Sequence, residues 1–184
     1  AVIDYLPYPG ENGGISLVDV DGNIVGEQKV TDDAPARALA FKVINDQFGS
    51  LTFIRIYSGV IKKGDSLANV TRSKKERVGR IVEVQANVTK DIEEARAGDI
   101  CALVSMRETE TGDSLCDPAH PALLERMRFP DPVISVAIEP KSRGDSDKLS
   151  AALYKMVKAD PSLRLNVDHE TGQKVLRGMG ELHL

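Results

Sequence analysis

Tryptophan is absent from these 184 residues, aromatic side chains amount to 4%, and only two cysteines occur. A core built from this chain is therefore aliphatic, drawn from the 41% of residues that are apolar. Cys101 and Cys116 lack a C-x-x-C spacing and sit in apolar surroundings, which reads as buried reduced thiols in a cytoplasmic protein rather than a disulfide framework. His120, His169 and His183 lie far apart, and none has a second His or Cys at ligand spacing, which speaks against a zinc site. No apolar run approaches the roughly 18 residues of a membrane span, and no signal peptide opens the chain. The expectation is no membrane partner. A G-x-x-x-x-G-K-[ST] phosphate loop is missing, and the G-x-G at Gly178 and Gly180 is too short for a dinucleotide fingerprint. Excess positive charge is missing too. The net charge of −4 argues against a protein that coats nucleic acid everywhere, while leaving room for a local basic patch.

What is present is mostly strand. AVIDYLP reads as the tail of a helix halted by Pro7 and Pro9. SLVDVDGNIVGEQKV gives two alternating runs joined at Asp21-Gly22, a hairpin signal. The same stretch carries D-x-D-x-N, but its Gly is fourth and its twelfth position is Val30, so it fails as a calcium loop and reads as a solvated turn. From Ala36 to Phe129 short strands follow one another. ALAFKVI puts Leu39, Phe41 and Val43 on one face, LTFIRIYSG follows, then SLANVT, one long run KKERVGRIVEVQA, and DICALVSM, whose continuous apolar residues suggest burial on both faces. KGDSL at Lys63, AGDIC at Ala97 and TGDSL at Thr111 rhyme, each placing a Gly-Asp turn before a new strand. The pattern predicts a barrel or sandwich.

Pro130 and Pro132 bracket a boundary, after which the rhythm changes. VISVAIE alternates Ile134, Val136 and Ile138. SDKLSAALYKMVKAD spaces Leu149, Leu153, Met156 and Val157 for a helix, with Asp145 as N-cap and Asp160-Pro161 as the stop; RGD at Arg143 is the loop entering it. LRLNV and QKVLRG are strands around the turn DHETG. GMGELHL then reads as a tight turn and one helical turn, well short of the length that sustains a helix. The order is the first two-thirds of a β-α-β-β-α-β split unit, so the chain is expected to continue past both its ends. The sheet should then be bare under Leu165 or Leu176, and Val133 to Glu139 should present an open edge.

One cluster stands out for chemistry. Lys62, Lys63, Arg72, Lys74, Lys75, Arg77 and Arg80 gather around strand ends in an otherwise acidic chain. Such charges are either a solvated hairpin tip or a phosphate-binding edge that neutralises a nucleic-acid backbone without reading bases. Aromatic stacking residues are not interleaved with it, which points to structured RNA rather than single strands. Glu181 and His183 are two apart on the expected helix and would face different sides, a poor catalytic pair.

Taken together, AVIDYLPYP, LAFKV, LTFIRIYSGVIKKGDSL, KKERVGRI, AGDI, TGDSLCD, FPDPVISVAIEPKS, DKLSAAL and TGQKVLRGMGELHL resemble the translational GTPases, and within them the elongation factor G group. The resemblance covers nearly the whole chain; Gly10 to Thr31 departs from it. It implies a mainly β plus α+β fold, a translation-factor β-barrel followed by a truncated ferredoxin-like (β-α-β-β) unit. By it, residues 1–9 are the end of a GTPase-domain helix, 10–34 a variable hairpin and linker, 35–129 the second domain, and 130–184 most of the third. It implies a ribosome-binding, non-catalytic stretch without cofactor of its own, in a parent that uses GTP and Mg to move tRNA and mRNA. Its partners would be small-subunit rRNA and proteins of the ribosome, with the GTPase domain and later domains of the same chain. Lys74, Lys75 and Arg77 match a basic stretch of the family. Gly178, Met179, Gly180, Glu181 and His183 match a segment packed near the GTPase domain, hence interface residues. Recycling, ribosomal-protection and release-factor relatives stay open, as does a free-standing RNA-binding barrel. A small enzyme using Glu181, His183 or His169 is the remaining alternative, and it lacks a converging set of residues.

Overall fold

Strand-forming runs separated by Gly-Asp turns fold as such. The computed structural model describes residues 2–11, 13–46, 49–86, 88–124, 127–140 and 142–184. Ala1, and thus the first residue of the AVIDYLP reading, lies outside them. Two compact units form, Ala1–Arg126 and Met127–Leu184.

The first unit opens with α1 (Val2–Tyr5), β1 (Ile15–Val18) and β2 (Ile24–Gln28). Then come β3 (Arg37–Asp46), β4 (Gly49–Ser58), β5 (Val60–Lys62), β6 (Ser66–Asn69) and β7 (Lys74–Arg77). They are followed by β8 (Arg80–Gln85), β9 (Val88–Ile92), β10 (Glu94–Arg96), β11 (Ile100–Val104), β12 (Ser114–Cys116) and β13 (Leu123–Leu124). The main sheet has eight strands in the order β7-β6-β12-β3-β4-β11-β8-β9; β5 pairs with β10, and β1 lies between β13 and β2. Ile54, Ile56, Ile61, Leu67, Val78, Ile81, Ala95, Leu103 and Leu115 fill one aliphatic core drawn from strands all around this barrel. Cys101, Ala102 and Leu103 are buried in succession, as expected for a strand covered on both faces.

The Gly-Asp rhyme is one turn used three times. In Lys62–Asp65, Arg96–Asp99 and Glu110–Asp113 the first carbonyl accepts the fourth N–H at 3.1, 3.0 and 3.2 Å. In each, the Asp carboxylate accepts the N–H of the first residue at 2.8 Å. The third residue, Gly64, Gly98 or Gly112, has φ of +94°, +96° or +96°, a region that strains any residue with a Cβ. Every turn then exchanges backbone bonds with a distant residue, Val78, Ile56 and Ala40 respectively.

Those exchanges explain two departures from the sequence reading. KKERVGRIVEVQA is two strands, not one, because the buried Val78 bonds to the first turn (Val78 N–H to the Asp65 carbonyl, 2.8 Å) instead of continuing a ladder. In β3 the expected Leu39-Phe41-Val43 face is interrupted by a register shift between Ala40 and Lys42. Ala40 bonds to the third turn, and Ala38 and Ala40 are the side chains that enter the core cluster.

The second unit comprises β14 (Ile134–Ile138), a 3-10 turn (Arg143–Asp145), α2 (Ser146–Ala159), β15 (Arg164–Val167) and β16 (Lys174–Gly178). Its antiparallel sheet has the order β14-β16-β15. Leu149, Leu153 and Val157 of α2 pack on Leu163, Leu165, Leu176 and Ile138. Met156 falls on the flank of that stripe and is 44% exposed. Asp145 holds the N-cap position without a side-chain cap bond, since its carboxylate accepts the Ser142 hydroxyl at 2.7 Å. Leu165 and Leu176 are covered by α2, contrary to expectation; within the described strands of this sheet the exposed large apolar residues are Val136 and Val167, at 47% and 52%. Among the described residues β14 pairs with β16 alone, leaving its other edge free.

Candidate nucleic-acid interface

The basic cluster centres on the β6–β7 hairpin, at one edge of the main sheet. Its register pairs Asn69 with Lys74, Ala68 with Lys75, Leu67 with Glu76 and Ser66 with Arg77. Residues opposed in an antiparallel pair share a face. Lys74 and Glu76 thus lie on the side of the buried Leu67 and Asn69, while Lys75 and Arg77 lie on the other. The cations are not equally available. Lys62 faces Glu94 at 3.7 Å, Lys63 faces Glu93 at 3.4 Å, and Arg80 faces Asp91 at 2.7 Å. Arg72 is tied to Glu110, and to Asp113 at 2.9 Å. Arg77 is exposed and donates through Nε to the Gly64 carbonyl at 3.2 Å. Lys74 and Lys75 are exposed and have no ion pair among the described residues. One apparent patch thus resolves into paired cations and a short open stretch, Lys74, Lys75 and Arg77.

The sequence reading missed what holds this edge. The Glu76 carboxylate accepts the N–H groups of Arg107 and Glu108, both at 2.8 Å, and the Thr109 hydroxyl at 2.9 Å. Asp113, 2% exposed, accepts the Asn69 side-chain amide at 2.7 Å, Arg72 Nε at 2.9 Å and the Glu110 N–H at 2.8 Å. Asn69 in turn accepts the Arg72 N–H at 3.1 Å. The third member of the Gly-Asp rhyme was the available signal for Asp113; a glutamate among lysines and arginines gave none for Glu76.

GMGELHL forms turns rather than the start of a helix. His183 Nδ1 accepts the Met179 N–H at 3.0 Å, so its Nε2 carries the proton donated to Asp160 Oδ2 at 2.9 Å. Burial pulls the Asp160 carboxyl upward, but bonds from Ser162 and His183 outweigh it and hold the group below its ordinary value. Gly178 is buried, and a Cβ there would sit 2.7 Å from Leu184 Cδ2 and 3.2 Å from His183 Nδ1. Met179, Glu181 and Leu182 face outward, Leu182 wholly so, and Gly180 is partly covered. Of the segment assigned to an interface, His183 and Gly178 therefore brace their own unit, and Met179, Glu181 and Leu182 are on offer.

The remaining candidates stay local. His120 contacts Asp117 at 3.1 Å, and His169 is exposed in the turn after β15. In the D-x-D-x-N stretch the Asp19 carboxylate accepts the N–H groups of Asp21 and Asn23 at 2.9 Å and the Asn23 amide at 3.1 Å, closing its own turn. Both cysteines are free and buried, and burial pushes the Cys101 thiol up to about 12. Among the described residues no group of three or more His, Cys, Asp or Glu is arranged to hold a metal ion. No helix among them is long and apolar enough to cross a membrane.

A barrel with these turns, followed by a β-α-β-β unit, is the architecture of a translation factor's central domains. Residues 49–116 match the family model for domain 2 of elongation factor Tu, and residues 129–184 match domain III of elongation factor G. Over 185 aligned positions the chain is 52% identical to elongation factor G 2 of Shewanella frigidimarina and to elongation factor G 1 of Synechocystis sp.. Those alignments cover 100% of this chain and 26% and 27% of the two relatives. A solved structure from Thermus thermophilus superposes with a TM-score of 0.75 at 31% identity, covering 99% of this chain and 25% of that one. The chain belongs to the elongation factor G family, and spans about a quarter of the length of these relatives.

Proposed function

We propose that this chain is the ribosome-binding, non-catalytic middle of an elongation factor G that moves tRNA and mRNA through the ribosome. The observation that carries the reading is 52% identity across the whole chain to proteins of that name. In it, residues 1–9 close a GTPase domain, 10–34 form a variable hairpin, 35–129 are the barrel domain and 130–184 belong to a ferredoxin-like third domain. GTP and Mg bind elsewhere in the parent, which works in the cytoplasm. Lys74, Lys75 and Arg77 contact the backbone of small-subunit rRNA, with Lys62, Lys63 and Arg72 around them. Gly178 to His183 face the GTPase domain. Exposure of Lys74 and Lys75 without a carboxylate partner among the described residues supports the first contact; the outward Met179, Glu181 and Leu182 support the second.

The test replaces the matching segment of a Synechocystis elongation factor G with this chain and measures ribosome-dependent GTP hydrolysis and mRNA movement. A soluble chimera that hydrolyses GTP and translocates is the expected result; one that binds ribosomes yet never moves mRNA overturns the role. For the chain alone, titration with GTP and Mg should give no heat, because a cradle of backbone N–H groups and a Mg-binding hydroxyl are what NTP sites require. Micromolar binding would sink the non-catalytic assignment.

A further inference from the structure

We infer that Glu76 is a positioning residue for polyanion binding: it holds the Lys74–Lys75–Arg77 edge against the segment Arg107–Asp113, and its negative charge aids RNA contact rather than opposing it. The inference rests on the basic-edge reading above and deepens it. β7 is four residues long, lies at the end of the sheet and among the described residues pairs only with β6. The turn before it contains Ser73 at φ +55°, a strained conformation for a residue with a side chain. Such an edge would fray without further anchors. Glu76 supplies one in the middle of the strand, through three hydrogen bonds to consecutive residues 107–109. Thr109 is fully buried, so this anchor is embedded in the barrel. Asp113 fastens the other end of the hairpin through Asn69 and Arg72, and belongs to the same segment. The cations that flank Glu76 in sequence are therefore carried on a hairpin riveted at two points. Alternation puts the Glu76 side chain on the opposite face from Lys75 and Arg77, away from a phosphate held by those two.

Electrostatics and positioning predict opposite signs, and that makes the inference testable. Removing a carboxylate beside a basic edge raises affinity for a polyanion if charge alone matters. If Glu76 positions the edge, its loss lowers affinity. The experiment titrates a fluorescein-labelled RNA stem-loop with the 184-residue chain across a salt series, by fluorescence anisotropy. Four proteins are compared: wild type, Glu76→Gln, Thr109→Val, and the triple Lys74→Ala/Lys75→Ala/Arg77→Ala. For Glu76→Gln we expect affinity roughly three- to ten-fold weaker and a log–log salt slope shallower by about 0.9 for each phosphate no longer neutralised. Thr109→Val, which removes one rivet and no charge, should weaken binding in the same direction. A Glu76→Gln protein that binds more tightly, or with unchanged slope, overturns the inference; if that variant does not fold, the outcome for Thr109→Val decides alone. The triple variant judges the underlying reading separately. If it leaves affinity and slope intact, the basic-edge reading falls; if it weakens binding while Glu76→Gln strengthens it, only the positioning role falls.

Discussion

The three Gly-Asp turns offer one motif in three environments, and replacing each aspartate by alanine should give a graded result. Asp65→Ala and Asp99→Ala each remove one carboxylate-to-N–H bond, from Lys62 and Arg96. A bond of that kind contributes about 1 kcal/mol net. Asp113→Ala removes the equivalent bond to Glu110, strips the fully buried Asn69 amide of its partner and takes one of two carboxylate partners from Arg72. Leaving buried polar groups unpaired costs several kcal/mol, but Arg72 is 39% exposed, so water recovers part of the loss and about 3 kcal/mol remains. Both cysteines lie in the first unit and are buried, so thiol labelling in native buffer reports opening of the barrel alone. At about 1.4 kcal/mol per tenfold, labelling should accelerate about fivefold for the first two variants and more than a hundredfold for Asp113→Ala. Equal acceleration in all three would refute the reasoning, because it would mean the shared turn carries the whole effect and the Asn69–Arg72 network none.

Gly178→Ala should destabilise the second unit by about 1–3 kcal/mol, the usual cost of overpacking, since its Cβ meets Leu184 and His183; urea unfolding followed at α2 measures it, and an unshifted midpoint contradicts the packing. The clasp between His183 and Asp160 should fail in acid. Asp160 titrates below its ordinary 3.8 in the folded chain, so its contribution is present above that value and is lost as pH falls through the lower, folded value; the Ser162 amide, which donates to the Asp160 carboxylate at 2.9 Å, should lose exchange protection in that range, and Asp160→Asn should abolish this dependence on pH. Hydrogen exchange should also rank the units. Amides of Ile134–Ile138, on a strand with a free edge among the described residues, should exchange faster than those of Ala102–Val104, which pair with β4 on one side and β8 on the other; equal protection would contradict the free edge.

Local chemistry by itself determined a good deal of this protein. β-branched alternation located the strands, the Leu149-Leu153-Val157 spacing located α2 with its stop at Asp160-Pro161, and the repeated Gly-Asp located three turns. Each depends on residues adjacent in the chain, where period and backbone preference act directly. Tertiary structure decided what those elements meet. Val78 breaks a run that reads as one strand, and Ala40 shifts the phase of β3, because backbone groups 13 and 72 residues away claim their hydrogen bonds. The same holds for the candidate interface. Seven cations near each other in sequence looked like one patch, yet Glu93, Glu94, Asp91, Glu110 and Asp113, contributed by other strands and turns, neutralise four of them. Charge is a property of a residue type and can be counted along a chain. Whether a charge is free is a property of distance, and only folding sets the distances.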